Sequence, residues 1–220
     1  MTRLNQFFIA LVFIVALFSA QSITAQNQNN SSAYNMDARE ELKVGIKAGV
    51  NFSNVYSESG DGYVADGKVG FAGGVFVSIP VSKFIGVQPE LLYSQKGFKT
   101  EGTFLGVNYE GNTTFNYLDL PIHLQLKPTE NFSILAGPQL SYLLSSKYEL
   151  NGLSSTQQQD FENGNNRATL GISAGIDFTV TDFLISARGS WDLSKVNDDN
   201  STSDLNYKNQ VLQVTLGYRF

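Results

Sequence analysis

The 220-residue chain has one histidine, His123, and no cysteine. Proton-transfer chemistry near neutral pH would therefore centre on a single imidazole, and thiol nucleophiles, disulfides and thiolate metal sites are excluded. His123 lies in the segment YLDLPIHLQLK (Tyr117 to Lys127), four residues after Asp119. A serine–histidine–acid group needs its members within hydrogen-bond reach. On an extended chain Asp119 and His123 share a face but stand roughly 13 Å apart, too far to pair. Glu90, or a serine from another segment, would have to approach instead. A lone histidine among polar neighbours is more often a hydrogen-bonded interior residue, so the chain reads as non-enzymatic and without a cofactor. A second cluster, Asp198, Asp199, Asn200, Thr202 and Asp204, is rich in oxygen ligands. It lacks the glycine and distal glutamate of a calcium loop and reads as a solvated acidic loop, so no metal is assigned.

The element that positions His123 has a period of two. Leu118, Leu120, Ile122 and Leu124 alternate with Asp119, Pro121, His123 and Gln125, and the same alternation runs through Leu42 to Ser53 and Val211 to Phe220. One face is apolar and the other polar or tiny, as in a strand with two different environments. Five further segments behave alike: Val69 to Ile79, Phe84 to Lys96, Phe132 to Lys147, Ala168 to Val180 and Phe183 to Ser194. The spacing thus predicts eight strands. Pro80 to Lys83, Pro128 to Asn131 and Thr181-Asp182 are tight turns, whereas Asn54 to Lys68, Thr100 to Asn112, Glu149 to Arg167 and Lys195 to Lys208 are long and polar. Three short turns at one end and four long loops at the other are the pattern of an all-β, eight-stranded antiparallel up-and-down transmembrane β-barrel, its loops external and both termini periplasmic.

A soluble barrel with the same alternation would enclose the apolar face and turn the other to water. Three features favour the opposite arrangement. Glycines such as Gly49, Gly74, Gly137 and Gly175 fall on the polar face, where the curvature of a narrow lumen crowds side chains. Aromatics on the apolar face gather at strand ends, with Phe52, Tyr93, Tyr142 and Trp191 towards the loops and Phe132, Phe183 and Phe220 towards the turns, as in the aromatic girdles of membrane barrels. The strands also exceed the roughly 9 to 11 residues needed to cross hydrocarbon. With the polar face inward, Lys47, Glu90, Asp119, His123, Asp177, Arg188, Asp192 and Arg219 are expected to form an ion-pair and hydrogen-bond network, since an eight-stranded lumen is only wide enough to be filled by side chains.

Residues 1 to 25 read as an export signal: Arg3, a 12-residue apolar run from Phe7 to Phe18, and small residues up to a cut between Ala25 and Gln26. The run is too short for a membrane-spanning helix, which needs about 20 residues. Residues 26 to 41, QNQNNSSAYNMDAREE, read as a flexible periplasmic lead-in, and 42 to 220 as the barrel domain. Without the signal the chain carries 14 basic and 20 acidic residues, a balance that argues against nucleic-acid binding.

GIKAGVNFS (Gly45 to Ser53), YLDLPIHLQLK and LAGPQLSYLL (Leu135 to Leu144) resemble the outer-membrane β-barrel family common in Bacteroidetes, called PorT-like or porin-family proteins. The resemblance spans Leu42 to Phe220 and implies a fold and a compartment. Tyr218 and the terminal Phe220 are similar to the C-terminal aromatic signal by which such barrels are recognised for assembly. The partners implied are outer-membrane lipid and lipopolysaccharide, the barrel-assembly machinery during insertion, and envelope proteins that meet the loops. Under that frame the chain is expected to be a structural or interaction protein. A small-solute channel is the alternative, and membership of a secretion or gliding apparatus a lesser one.

Overall fold

The computed structural model describes residues 37–57, 66–104, 107–151, 159–160, 168–193 and 207–220. The export signal with Ala25 and Gln26, residues 26–36 of the lead-in, and the acidic cluster Asp198 to Asp204 lie outside the described residues.

The alternating segments form β1 (Lys43–Ser57), β2 (Asp66–Pro80), β3 (Ile85–Phe104), β4 (Val107–Leu126), β5 (Phe132–Asn151), β7 (Ala168–Val180), β8 (Phe183–Asp192) and β9 (Tyr207–Arg219). A two-residue strand, β6 (Gln159–Asp160), pairs only with Lys147 and Tyr148 of β5. Each long strand pairs antiparallel with its sequence neighbour, β5 with β7, and β1 pairs with β9 from Gly45↔Arg219 to Ser57↔Tyr207. The sheet therefore closes on itself as an eight-stranded barrel with no unpaired first or last strand.

Most of the apolar side chains of each strand point outward. Ile46, Phe71, Ile122, Leu170 and Leu216 are each more than half exposed. In water, an apolar surface running around the whole wall would drive association. Against hydrocarbon it is the surface that the solvent requires. The inward face is crowded enough that several positions tolerate no side chain. A Cβ at Gly49, Gly74 or Gly137 would fall 2.0 Å from the backbone oxygen of Val214, Leu91 or Ile122 respectively.

The tight turns predicted from sequence separate the strands at one end. In the shortest, Thr181 takes a left-handed backbone with φ 56°, the conformation a two-residue antiparallel connection demands. Its carbonyl accepts a hydrogen bond from the Arg219 guanidinium at 3.1 Å, which ties the last strand to the turn.

One connection differs from the sequence expectation. Thr100 to Asn112 is not a long loop, because β3 and β4 remain paired from Thr100↔Gly111 to Phe104↔Val107. The ladder is made by backbone groups and continues through this polar, glycine-bearing run. The opposite end thus carries three long connections and one extended hairpin, not four loops. On the outer wall of β3, β4 and β5, Tyr93 Oη and Gln95 Nε2 donate to Asn116 Oδ1 at 2.8 and 3.2 Å, and Asn116 Nδ2 donates to Ser145 Oγ at 2.9 Å. This polar row ends the apolar belt on that side.

Candidate functional site in the barrel lumen

Seven of the eight residues expected to line the lumen are less than 6% exposed: Lys47, Glu90, Asp119, His123, Asp177, Arg188 and Asp192. Each stands at the inward parity of its strand, yet they form two groups, not one. The first is centred on Glu90 and Arg188. Glu90 Oε2 accepts from Lys47 Nζ at 2.5 Å, and Glu90 Oε1 accepts from Gln88 Nε2 at 2.9 Å and from Arg188. The second guanidinium nitrogen of Arg188 reaches both Asp177 oxygens at 3.1 and 3.2 Å, and Ser186 Oγ donates to Asp177 Oδ1 at 2.5 Å. Side chains from β1, β3, β4, β7 and β8 meet here and fill the cross-section. Buried charges hold such a place when each finds an opposite charge or donor.

The second group lies nearer the long connections. Lys96 Nζ donates to Asp119 Oδ1 at 3.1 Å and to Ser141 Oγ at 3.3 Å, and sits 4.7 Å over the Tyr117 ring. Asp192 accepts from Asn209 Nδ2 at 2.8 Å. Arg219 joins neither group. It lies at the short-turn mouth with its Nε buried and unbonded among the described residues.

His123 has neighbours that imitate a hydrolytic triad. Its Nε2 is 2.7 Å from Ser173 Oγ, and its Nδ1 is 3.6 Å from Glu90 Oε1. The proton arrangement is the wrong one. Arg188 approaches Nδ1 at 3.2 Å, and a guanidinium only donates. With Arg188 as its partner Nδ1 accepts, and in that tautomer the ring proton lies on Nε2, facing Ser173. An Nε2 that already carries its proton cannot take one from the serine. Ser173 is also 4% exposed, so no substrate reaches it. The arrangement is that of a buried, hydrogen-bonded histidine held beside the Glu90–Arg188 pair.

The lumen also contains side chains that sequence reasoning missed. Phe98, Phe115, Tyr117 and Leu143 form a buried apolar cluster inside the barrel, with Phe98 and Phe115 rings 6.4 Å and Phe115 and Tyr117 rings 6.2 Å apart. The β4–β5 register shifts between Asn116 and Tyr117. At this level the polarity is reversed: Asn116 and Ser145 are on the outer wall and aromatics are inside. The signal was present in FNY, where two aromatics take the same parity as Asp119, and in LLSSK, where alternation slips. Farther from this level Phe76, Leu92, Leu135 and Leu184 are also buried.

The aromatics expected at strand ends divide by location. Phe52, Tyr93 and Trp191 are 39 to 49% exposed on the outer wall, and Tyr142 is half-buried beside Leu118 and Ala168. At the turn end Phe183 and Phe220 each meet the Tyr218 ring edge-on, 5.4 and 5.2 Å between centroids, while Phe132 is half-buried opposite Phe178.

The last five residues of the lead-in, Asp37 to Glu41, include a 3₁₀ turn over Ala38–Glu40 at the short-turn mouth. Asp37 is paired with Arg39 at 2.7 Å and with Lys83 at 2.9 Å. The Arg39 guanidinium lies 5.1 Å over the Phe84 ring, and its carbonyl accepts from Lys127 Nζ at 2.9 Å. Side-chain bonds from Arg39 and then Lys83 hold the Asp37 carboxyl well below the ordinary carboxylate range. A carboxylate depressed in this way stabilises the fold fully above the pKa of its unfolded form, about 3.9, and loses that effect only as pH falls through the depressed value. The contact is therefore expected to be unchanged between pH 7 and pH 4. A carbon-detected NMR titration of the Asp37 carboxyl should place its midpoint below that of a free aspartate, and Lys83→Ala should raise it. An ordinary midpoint in the unmodified chain would contradict the pairing.

A family model described as outer membrane protein beta-barrel domain matches residues 24–198. No curated protein matches the chain. Among solved structures it is similar to Ail, the attachment invasion locus protein of Yersinia pestis, at 19% identity over 82% of this chain and 99% of that one, with a TM-score of 0.52. Neisserial surface protein A gives 15% identity over 81% and 97%, with a TM-score of 0.47. OprG of Pseudomonas aeruginosa gives 15% over 82% and 97%, with a TM-score of 0.43. At these identities the Ail comparison speaks for the fold alone. With its closed eight-stranded wall, apolar outside and ion-paired within, the chain belongs to the outer membrane protein beta-barrel domain family.

Proposed function

We propose that this chain is a non-enzymatic outer-membrane barrel that anchors its extended β3–β4 hairpin and long connections outside the cell for contact with envelope glycans, lipopolysaccharide or partner proteins, both termini lying in the periplasm. The observation that carries this reading is the filled lumen. The Glu90–Arg188 group spans the cross-section from five strands, and the apolar cluster around Phe115 fills the level beyond it. An eight-stranded wall leaves room for side chains only, and here they are mutually bonded. The orientation is supported by three short turns at one end and longer connections at the other, the asymmetry of bacterial outer-membrane barrels. Ail, which shares the fold, is by its name an attachment and invasion protein.

The reading is tested in two steps. Purified, refolded protein in planar bilayers is expected to show no stepwise conductance; regular single-channel steps would favour the channel alternative. Replacing the extended hairpin beyond Lys99 and Asn112 by a two-residue turn should leave heat-modifiable migration on gels intact and abolish retention of envelope partners or lipopolysaccharide. Retention unchanged after this and after shortening of the long connections would overturn the interaction role. Co-purification with secretion-apparatus subunits would instead place the barrel in the PorT-like class that its motifs resemble.

A further inference from the structure

The short-turn mouth carries an excess of inward positive charge that the barrel wall does not neutralise. Lys127 stands one residue past the end of β4, at the rim, where a lysine would ordinarily reach water, yet it is only 6% exposed. Its ammonium bonds a backbone carbonyl, that of Arg39, and no carboxylate among the described residues. Arg219 bonds the Thr181 carbonyl and leaves its Nε buried without a partner among the described residues. Lys43 faces inward beside Ser78 and is paired with Glu41. The nearest inward carboxylate above them, Asp177, is engaged by Arg188. Glu130 and Asp182 are exposed in the turns. What covers this mouth is the segment DAREE (Asp37 to Glu41), with three carboxylates and one guanidinium. It runs from the start of β1 to the β2–β3 turn through Lys83 and Phe84, and to the β4–β5 turn through Lys127 and the Pro128 carbonyl.

We propose that Asp37–Glu41 is an acidic strap latched across the short-turn mouth, and that beneath it the barrel keeps a cationic vestibule, formed by Lys43, Lys127 and Arg219, that admits small anions when the strap lifts. The strap supplies the Arg39 carbonyl to Lys127 and the Glu41 carboxylate to Lys43, while Arg219 is held by the Thr181 carbonyl of the turn beside them, so the strap occupies the place an anion would take over the two lysines. The latch is Asp37, since it alone bridges the strap's own Arg39 to Lys83 of the wall. This inference is independent of what the external connections bind.

The absence of cysteine allows a direct test on the full chain in lipid vesicles. Ser78 lies 5% exposed inside the mouth, its hydroxyl bonded to Gln125 Oε1 at 2.7 Å, and Ser78→Cys places one thiol there. Its modification is timed with an anionic sulfonatoethyl and a cationic trimethylammonium-ethyl methanethiosulfonate, each rate divided by that of the same reagent with a free thiol. With the strap intact both are expected to be slow. Adding Asp37→Ala, or Asp37→Ala with Arg39→Ala where one change leaves the strap seated, should speed the anionic reagent at least tenfold and leave it several-fold ahead of the cationic one. Heat-modifiable migration confirms in each variant that the barrel is formed. Equal acceleration of the two reagents would overturn the anion vestibule, and no acceleration in either variant would overturn the strap.

Discussion

Arg188→Ala is expected to destabilise the barrel by about 3–5 kcal/mol, the cost of breaking a buried ion pair by removing one partner. Among the described residues Arg188 is the only charged side chain that joins Glu90 to Asp177, and it also donates to His123 Nδ1. In its absence Glu90 keeps Lys47 and Gln88, but Asp177 keeps only neutral donors, Ser186 and Gln88, among the described partners. The loss should therefore fall mainly on Asp177, and adding Asp177→Asn to Arg188→Ala should recover part of it. Urea unfolding in lipid vesicles, followed by the heat-modifiable gel shift, measures both variants. A loss below about 1 kcal/mol, in the range of exposed pairs, would show that water already screens the network. Lys47→Met with Glu90→Gln makes the complementary point, since replacing buried charges by neutral groups of similar volume is often close to neutral.

The second large effect is steric. Gly137→Ala places a methyl 2.0 Å from the Ile122 backbone oxygen and 3.0 Å from the His123 Cα. A flexible side chain could swing aside, but these are backbone atoms of β4, held between the paired residues Leu124↔Ala136 and Pro121↔Gln139 that flank them. Overpacking typically costs about 1–3 kcal/mol, and displacement of the flanking pairs is added to it here. The expected result is a barrel that refolds poorly or fails to show heat-modifiable migration. Gly67→Ala is the control, because the nearest atom to its added methyl is the Ser53 carbonyl oxygen at 3.5 Å, an ordinary contact. If the two variants refolded equally well, crowding of the lumen would not be what keeps glycine at position 137.

Alternation along the chain is a local property, and it carried the strand count, the direction each side chain faces and the tight turns. That is why Lys47, Glu90, Asp119, His123, Asp177, Arg188 and Asp192 could be placed inside from residue types alone. Parity does not report height. Glu90 and Arg188 are 98 residues apart, and whether they meet depends on how far each strand is staggered against the next around the closed wall. This explains why one expected network proved to be two groups, with Lys96 and Asp119 above, and why Arg219 stands apart at the mouth.

Composition also misled where it stood in for pairing. The polar run from Thr100 to Asn112 reads as a loop because an apolar face is the mark of a strand in sequence, yet the backbone ladder continues through it. Phe115 and Tyr117 keep the inward parity of Asp119, whereas in β5 the extra residue Leu144 at the register shift leaves Leu144 and Ser145 both outward and turns Ser146 in, a slip that a fixed period of two cannot express.

The sequence by itself determined an eight-stranded wall, its apolar outside and its charged inside, since each follows from neighbours two residues apart. The tertiary structure decided which charges pair, where the lumen turns apolar and that Asp37 to Glu41 lies across the mouth. These depend on strand stagger and on contacts between segments distant in the chain, neither of which is encoded in local alternation.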